Sequence, residues 1–180
     1  EPLMPSLEDE GENPELVDFR RRFWWTLPLT IAVVVLAMFG HRLGLMDIRA
    51  QTWVELVLSA PIVLWAGAPF FVRGVQSIVN RSPHMWTLIG LGTSAAFLYS
   101  VVATVAPQIF PESFVEHGRV GVYYEAAAVI ISLTLLGQIL ELRARSQTSA
   151  AIKALLGLAP KTARRIAPDG TEEDIPLAHV

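Results

Sequence analysis

Residues 123–145 read YYEAAAVIISLTLLGQILELRAR, an apolar stretch with a glutamate near each end. Glu125 lies near its start and Glu141 near its finish, and Gln138 is the strongly polar side chain between them. Because a helix rises about 1.5 Å per residue, the two carboxylates would lie about 24 Å apart, close to the roughly 30 Å thickness of a hydrocarbon core. A carboxylate in a membrane helix costs free energy, so each glutamate is a candidate functional residue.

The composition of the whole chain is that of a membrane protein. Hydrophobic residues make up 52% of its 180 residues, and the mean hydropathy is +0.44, which is high for a soluble domain. A net charge of −3 argues against a nucleic-acid partner, and a chain without cysteine offers no disulfide and no thiolate metal site. The sequence lacks a Walker A loop, a paired-histidine protease motif and a nucleophile elbow. We therefore expect a piece of a longer protein whose energy source is encoded elsewhere.

Four segments are apolar over the roughly 20 residues that a helix needs to cross a bilayer. They cover residues about 24–44, 52–72, 86–106 and 120–142. Pro61, Gly67 and Pro69 interrupt the second segment and predict a kink there. The aromatic and basic residues that follow are typical of an interfacial amphipathic helix. Two interpretations stay open, a simple bent helix and a platform that faces the cytosol.

The basic residues predict the orientation of the chain in the membrane. Of 14 lysines and arginines, all but Arg42, Arg49 and Arg119 lie before the first span, between the second and third, or after the fourth. The positive-inside rule places the side with these eleven residues in the cytoplasm. We therefore expect a multi-pass integral membrane protein of a bacterial inner or plasma membrane, with the lipid bilayer as a partner and both ends cytoplasmic.

The chain beyond the fourth span changes character. Its apolar residues keep helical spacing after Arg143, and two short runs flank the turn sequence Pro168-Asp169-Gly170, which predicts a β-hairpin. The predicted fold is an all-α membrane protein with four transmembrane helices, the second kinked, followed by an incomplete β-rich cytosolic domain. The corresponding regions are an N-terminal cytosolic linker, a membrane region, and a helix extension with the start of the β-rich domain, over 1–22, 23–143 and 144–180.

Methionines near the span ends add a second class of candidate ligand. Met38, Met46 and Met85 carry a soft thioether sulfur, which suits Cu(I). Met85 and Glu141 fall at the predicted cytosolic end, whereas Met38 and Glu125 fall toward the outer half. A thioether and a carboxylate at each end could serve a Cu(I) path. The alternative is that the methionines fill the helix packing and that Glu141 is solvated beside the arginines that follow it.

Three stretches of the chain resemble the heavy-metal P-type ATPases, in the copper-exporting branch. They read FRRRFWWTLPLT over 19–30, APFFVRGVQSIVNRSPHMWTLIGLGTSAAFLYS over 68–100, and VYYEAAAVIISLTLLGQILELRARSQTSAAIKALLGLAPKTARRI over 122–166. The resemblance runs from about Glu15 to Val180. It implies that the first two spans precede the common P-type core, that the next two are its first helices, and that the tail begins the actuator domain.

The resemblance also implies roles for individual residues along the ion path. By position, Met85 and Glu141 resemble the cytosolic copper-uptake ligands of the family. Glu125 resembles an exit-side carboxylate, and Met38 resembles an exit-side methionine. The transported ion would then be Cu(I).

The kink resembles the family's docking platform for a copper chaperone or for the pump's own metal-binding domain. Ala66 and Gly67 stand where the family usually has two glycines. Arg73 follows on the same predicted platform and would contribute to it.

The resemblance assigns ATP and Mg to regions outside this chain. The sequence contains no Cys-Pro-Cys, no Asp-Lys-Thr-Gly-Thr and no Thr-Gly-Glu motif, and in the family these motifs carry the central ion site and the phosphorylation cycle. Two alternatives stay open. The same pump could act on Ag(I), or the chain could be a truncated, non-catalytic four-helix membrane module that binds a partner or a metal. A chain that ends inside a hairpin argues against the second alternative, because half a β-domain leaves strand edges unpaired.

Overall fold

The computed structural model describes residues 12–44, 46–116, 118–158, 160–176 and 179. The helices are α1 (Pro14–Leu43), α2 (Ile48–Pro61), α3 (Ala68–Val79), α4 (Met85–Val105) and α5 (Tyr124–Gly157). The strands are β1 (Val115–Glu116), β2 (Arg119–Val120), β3 (Thr162–Ile166) and β4 (Glu172–Pro176). Contacts divide the chain into two units, one of residues 14–141 and one that includes residues 142–180.

Three helices, α1, α4 and α5, are long and apolar enough to cross a membrane. The stretch Ile48–Ala66 and the helix α3 pass the same test as a pair and meet at an angle of 55°. The pair makes a fourth span when its two arms are counted as one. The predicted interruption of the second apolar segment is therefore confirmed as a sharp bend.

The first helix begins earlier than the sequence pattern indicated. We expected a linker over residues 1–22, of which residues 1–11 lie outside the described part of the chain, yet α1 starts at Pro14. Proline suits the first position of a helix because its missing N–H would have no partner there. Leu16 and Phe19 are one turn apart and both are buried, so this first part of α1 is held by packing as well as by local preference.

The bend in the second span is built from a π-helical turn and a glycine. Ile62–Ala66 forms the π-helical turn, and Gly67 follows it. A Cβ atom on Gly67 would lie 2.5 Å from the carbonyl oxygen of Val63 and 2.9 Å from Cδ1 of Ile131. Glycine is thus required at this position by close approach, and one glycine preceded by alanine is enough to make the bend.

Hydrogen bonds arrange the helices of residues 14–141 with two distinct ends. Near the middle, the hydroxyls of Thr30 in α1 and Ser132 in α5 share a hydrogen bond of 2.7 Å. One end, the Met85 end, holds the start of α1, the bend, α3 and the start of α4, and there the Phe70 and Trp86 rings stack at 5.0 Å. The other, the Glu125 end, holds the end of α1 and the starts of α2 and α5.

The C-terminal strands form the predicted hairpin. Strands β3 and β4 pair antiparallel, with Ala163 opposite Ile175, and the turn between them closes through a hydrogen bond from the Gly170 amide to the Ala167 carbonyl at 2.9 Å. Gly170 has φ of +83°, a value in the left-handed region that glycine adopts without strain. The hairpin prediction is confirmed.

Candidate functional site

Met85 is the first residue of α4, and its position is fixed by the helix cap before it. The His84 side chain accepts a hydrogen bond through Nδ1 from the Trp86 amide at 3.2 Å, and the His84 amide donates to Thr87 Oγ1 at 3.1 Å. This reciprocal cap satisfies amides that have no partner within the helix. Met85 is 58% exposed, so its thioether is accessible at this end of the helices.

Glu141 lies on the exposed surface of α5, beyond the apolar run that contains Glu125. Its Oε2 accepts a hydrogen bond from Gln138 Nε2 at 3.1 Å, because residues three apart share one helix face. Both glutamates belong to the single continuous helix Tyr124–Gly157. The sequence-based spacing of about 24 Å along the helix axis therefore holds.

Glu125 is half-buried in the first turn of α5, and its neighbours fix that turn against the end of α4. The Tyr123 amide donates to Ser100 Oγ at 2.7 Å. The hydroxyl of Tyr124, which is fully buried, donates to the Ser100 carbonyl at 2.9 Å and shares a hydrogen bond of 2.6 Å with the Thr104 hydroxyl. Three contacts thus hold the backbone that carries the Glu125 carboxylate.

Met38 lies near the C-terminal end of α1 with 62% of its surface exposed. The structure therefore places Met38 and Glu125 at one end of the helices and Met85 at the other. Within the described ranges, no three His, Asp or Glu side chains form a group that could hold a metal ion. The predicted ligands are distributed between the two ends.

Arg73 takes part in packing at the Met85 end. Its guanidinium pairs with the Glu15 carboxylate of α1 and lies 5.4 Å from the ring centre of Phe19 and 5.2 Å from that of Trp86. Such stacking of a cation on aromatic faces is attractive. The side chain is half-buried, so Arg73 links α1, α3 and α4.

The helix α3 after the bend has a packed face and an exposed apolar face. On the packed face, a Cβ on Gly74 would lie 2.9 Å from the Trp86 carbonyl oxygen, so glycine permits close approach of α4. On the other face, Val72, Val75 and Val79 are exposed at helical spacing. This arrangement is typical of a helix that lies at a membrane interface.

Ala66, at the bend itself, is fully buried, and α1 contacts the bend beside it. The Arg22 guanidinium donates to the Trp65 carbonyl and lies 5.3 Å from the centre of the Trp65 ring. A π-helical turn leaves backbone carbonyls without regular helix partners, and a guanidinium supplies a donor to one of them. Arg22 of α1 thus contacts the residue directly before Ala66, and the Ile131 side chain of α5 lies beside Gly67.

An open cavity of about 380 Å³ lies between the C-terminal part of α3 and the start of α4. Polar side chains line it, among them Gln76, Asn80 and His84. The lining includes His84 and Trp86, the neighbours of Met85 in the sequence, but not Met85 itself.

Sequence reasoning missed a buried polar cluster at the Glu125 end. Glu55 of α2 is completely buried, and its Oε2 lies 3.0 Å from Nη1 of Arg119 in β2. The same nitrogen donates to Thr52 Oγ1 at 2.8 Å. Gln51 Nε2 donates to Glu55 Oε1 at 3.2 Å and to the Leu36 carbonyl at 3.0 Å. The available signal was a glutamate inside the apolar run TWVELVLSA, which marks a functional candidate in a membrane helix.

Curated proteins of high similarity cover nearly all of the chain. It is 56% identical over 98% of its length to a copper-transporting P-type ATPase of Rhizobium leguminosarum bv. viciae. It is 51% identical over 95% to a copper-exporting P-type ATPase of Legionella pneumophila, and 51% identical over 97% to a silver exporting P-type ATPase of Salmonella typhimurium. No protein-family model matches the chain.

The chain belongs to the P-type ATPase family of these relatives. The family recognised from the three quoted stretches is thereby confirmed. The chain spans 22%, 24% and 22% of these three relatives' lengths. The chain thus matches a segment of these P-type ATPases, and its apolar helices agree with a multi-pass membrane protein.

Proposed function

We propose that this P-type ATPase segment is the N-terminal membrane part of an ATP-driven Cu(I) exporter. The observation that carries the proposal is identity of 51% to 56% along 95% to 98% of the chain with proteins named for copper or silver transport. ATP and Mg would bind outside this chain, which lacks the Cys-Pro-Cys, Asp-Lys-Thr-Gly-Thr and Thr-Gly-Glu motifs. Phosphorylation of an aspartate there would drive the ion outward.

The proposed architecture has four transmembrane helices with the second one kinked. A cytosolic segment over 1–22, whose last part is the start of α1 from Pro14 onward, precedes the membrane region over 23–143. Residues 144–180 extend α5 into the cytosol and begin a β-rich actuator domain. Three long apolar helices and one bent pair support the count of four spans. The excess of basic residues at the Met85 end and after α5 supports a cytoplasmic location for both ends of the chain.

Uptake of the ion is proposed to occur at the Met85 end through Met85 and Glu141. The thioether of Met85 is a soft ligand for Cu(I), and the Glu141 carboxylate supplies negative charge. Both side chains are exposed, which supports ligand exchange with a delivering protein. The hydrogen bond from Gln138 orients the carboxylate.

Release is proposed to occur at the Glu125 end through Glu125, with Met38 as a second ligand. Glu125 is half-buried, so it can accept an ion from within the membrane and still reach the outer solution. Glu125 and Glu141 lie near opposite ends of the apolar stretch 123–145, and this placement supports a path that runs along this part of α5.

The bend at Ala66-Gly67 and the helix α3 are proposed to form the docking platform. The partner would be a copper chaperone or the pump's own metal-binding domain, in keeping with the open polar cavity between α3 and α4. Arg73 would shape the platform by linking α1, α3 and α4. Its ion pair with Glu15 and its two aromatic contacts support this structural role.

The uptake site is tested by replacing its two ligands in the full-length pump. We expect Met85→Ala and Glu141→Gln each to lower copper-stimulated ATP hydrolysis by about tenfold or more, a usual loss when a metal site is altered. Met46→Ala is the matched control because this methionine lies in the connection after α1, and it should keep wild-type turnover. Wild-type turnover in both ligand variants would refute the uptake assignment.

Silver is the second candidate substrate, since one relative is named a silver exporting P-type ATPase. Ag(I) and Cu(I) are both soft monovalent ions, and the proposed ligands accept either. Activation of ATP hydrolysis by buffered Cu(I) and Ag(I), compared in the same preparation, decides between them. Absence of hydrolysis with either ion would favour the alternative of a non-catalytic membrane module that binds a partner or metal.

A further inference from the structure

The cavity between α3 and α4 carries hydrogen-bond donors that no other described residue uses. Its lining includes four polar side chains, those of Gln76, Asn80, Ser82 and His84. The first three of these make no side-chain hydrogen bond within the described part of the chain. His84 accepts through Nδ1 from the Trp86 amide, so the neutral imidazole carries its proton on Nε2 and can donate there. The cavity thus offers several side-chain donors to a ligand.

The charges around this cavity favour an anion. Arg73 lines it and pairs with Glu15 of α1, but a guanidinium has more N–H donors than one carboxylate can accept from. Arg81, just after α3, adds a second exposed positive charge. The sequence contains no aspartate or glutamate between Glu55 and Glu112. The region of α3 and α4 therefore has positive charges and no acidic residue of its own.

The two helix ends beside the cavity act in opposite directions. The helix α4 begins there, and the first amides of a helix attract anions. The helix α3 ends there, and its last carbonyls repel them, although three of these carbonyls accept hydrogen bonds from the amides of residues 80–82. Because the two dipole ends oppose one another, the side chains determine which ligand the cavity takes.

The apolar face of α3 indicates which anion fits this cavity. Val72, Val75 and Val79 are exposed on that face. Residues four apart share one side of a helix, so Gln76 lies one turn from Val72, and Asn80 lies one turn further along. In an interfacial helix the apolar face contacts acyl chains, and the polar residues at its edge lie among the headgroups. A phospholipid supplies both a phosphate for the donors and acyl chains for the valines.

We propose that the cavity between α3 and α4 binds the headgroup of an anionic phospholipid. The donors of Gln76, Asn80 and Ser82 bond to the phosphate oxygens, and Arg73 supplies positive charge. Basic pockets beside membrane helices take anionic headgroups in this way. The acyl chains lie along the exposed valines of α3. The inference uses the location of α3 at the membrane interface and does not depend on which ion the pump transports.

Native mass spectrometry of the full-length pump in detergent measures this binding directly. Dioleoylphosphatidylglycerol is added in increasing amounts, and the dissociation constant of the first bound lipid is obtained from the fractions of free and lipid-bound protein. Gln76→Glu combined with Asn80→Asp replaces two donors by carboxylates of nearly the same shape. Because like charges placed together disfavour binding, this double variant should raise the dissociation constant by about tenfold or more. A wild-type dissociation constant in the double variant overturns the inference.

Two further variants separate a lost site from a damaged protein. Gln108→Glu makes the same change on an exposed glutamine in the connection between α4 and α5, so it should keep the wild-type dissociation constant. Gln76→Lys adds a positive charge at the cavity and should lower the dissociation constant by about fivefold. Misfolding cannot produce such a gain in affinity. A dissociation constant that Gln76→Lys leaves unchanged or raises contradicts the proposed site.

Other ligands distinguish a lipid from other sources of the same chemistry. Dioleoylphosphatidylcholine has a phosphate whose charge is balanced by an ammonium group, so it should bind more weakly and respond little to the double variant. Inorganic phosphate should not displace dioleoylphosphatidylglycerol, because it makes no contact with the apolar face of α3. Displacement of the lipid by inorganic phosphate would assign the cavity to free phosphate and overturn the lipid assignment.

A protein partner at the same cavity gives a different result. If the double variant keeps wild-type affinity for dioleoylphosphatidylglycerol but no longer binds the isolated metal-binding domain of the pump, the cavity belongs to the docking platform and the lipid assignment fails. If the double variant loses affinity for the lipid and still binds that domain, the lipid assignment holds. Neither result changes the proposed role of Met85 and Glu141, which copper-stimulated ATP hydrolysis tests separately.

Discussion

Asp169 is the residue whose charge state the hairpin controls most directly. Its carboxylate accepts hydrogen bonds from the Thr171 hydroxyl at 2.6 Å and from the Thr171 amide at 3.0 Å. Both bonds favour the charged form, the hydroxyl bond more strongly, and they hold the pKa of Asp169 below its ordinary value. Asp169 should therefore titrate at lower pH in the folded hairpin than in an unfolded peptide.

The direction of the pH dependence follows from this depressed pKa. Asp169 contributes stability to the hairpin above its unfolded pKa, and the contribution is lost as pH falls through its folded pKa. Thr171→Val removes the hydroxyl donor, so the pKa of Asp169 should rise toward its ordinary value. The carboxyl carbon chemical shift of Asp169, followed against pH by NMR, measures the pKa of Asp169 in the wild type and in Thr171→Val. Identical titration curves for Thr171→Val and the wild type would contradict the prediction.

Single residues differ in how far the sequence reveals their role. Glu125 and Glu141 stand out because each is a carboxylate within or beside one apolar run, which is a local property. Glu55 carries the same local signal, but its partner Arg119 is 64 residues away. Arg73 was assigned to the platform as a basic residue. Its partner Glu15 is 58 residues away in the sequence. Pairing across such distances depends on the fold, so local composition could not supply it.

At the scale of elements, the bend of the second span depends on Gly67. A side chain at this position would meet the Val63 carbonyl and the Ile131 side chain at 2.5 Å and 2.9 Å. Gly67→Ala should therefore lower the free energy of unfolding by about 1–3 kcal/mol, the usual cost of an added methyl in a close-packed region. Thermal unfolding of the purified protein in detergent measures the loss.

Gly92 in α4 provides the matched control for this substitution. Nothing lies within 4 Å of a Cβ at Gly92, and alanine is favoured over glycine in a helix by about 0.5–1 kcal/mol. Gly92→Ala should therefore leave the unfolding temperature unchanged or raise it. A Gly67→Ala variant as stable as Gly92→Ala would show that close approach does not determine the bend.

The helices and the hairpin differ from the start of α1 in how well the sequence predicts them. Long apolar runs predict the spans in α4 and α5, and a Pro-Asp-Gly turn predicts the hairpin. Both features are local in the sequence. The start of α1 at Pro14 was missed because the acidic composition of the first residues dominated the interpretation. Leu16, Val17 and Phe19 form a short apolar group there, and the burial of Leu16 and Phe19 depends on packing that the sequence does not show.

At the scale of the whole molecule, the predicted topology places the helices of the membrane region across the bilayer and both ends of the chain in the cytoplasm. This topology puts the α3–α4 connection inside and the α4–α5 connection outside, because basic residues favour the cytoplasmic side. The chain contains no cysteine, so single cysteines placed in it report their own accessibility without background. Ser113 in the α4–α5 connection and Ser82 in the α3–α4 connection are both exposed and suit this purpose.

With the chain expressed in bacterial cells, a membrane-impermeant maleimide should label Ser113→Cys in intact spheroplasts. It should label Ser82→Cys only after the membrane is opened, since that side chain faces the cytoplasm in the predicted topology. Labelling of both variants in opened membranes controls for reactivity. The reverse pattern would place the Met85 end outside and invert the proposed direction of transport, because Met85 and Glu141 would then face the outer solution. Equal labelling in intact spheroplasts would mean that α4, which lies between the two positions, does not form a single crossing.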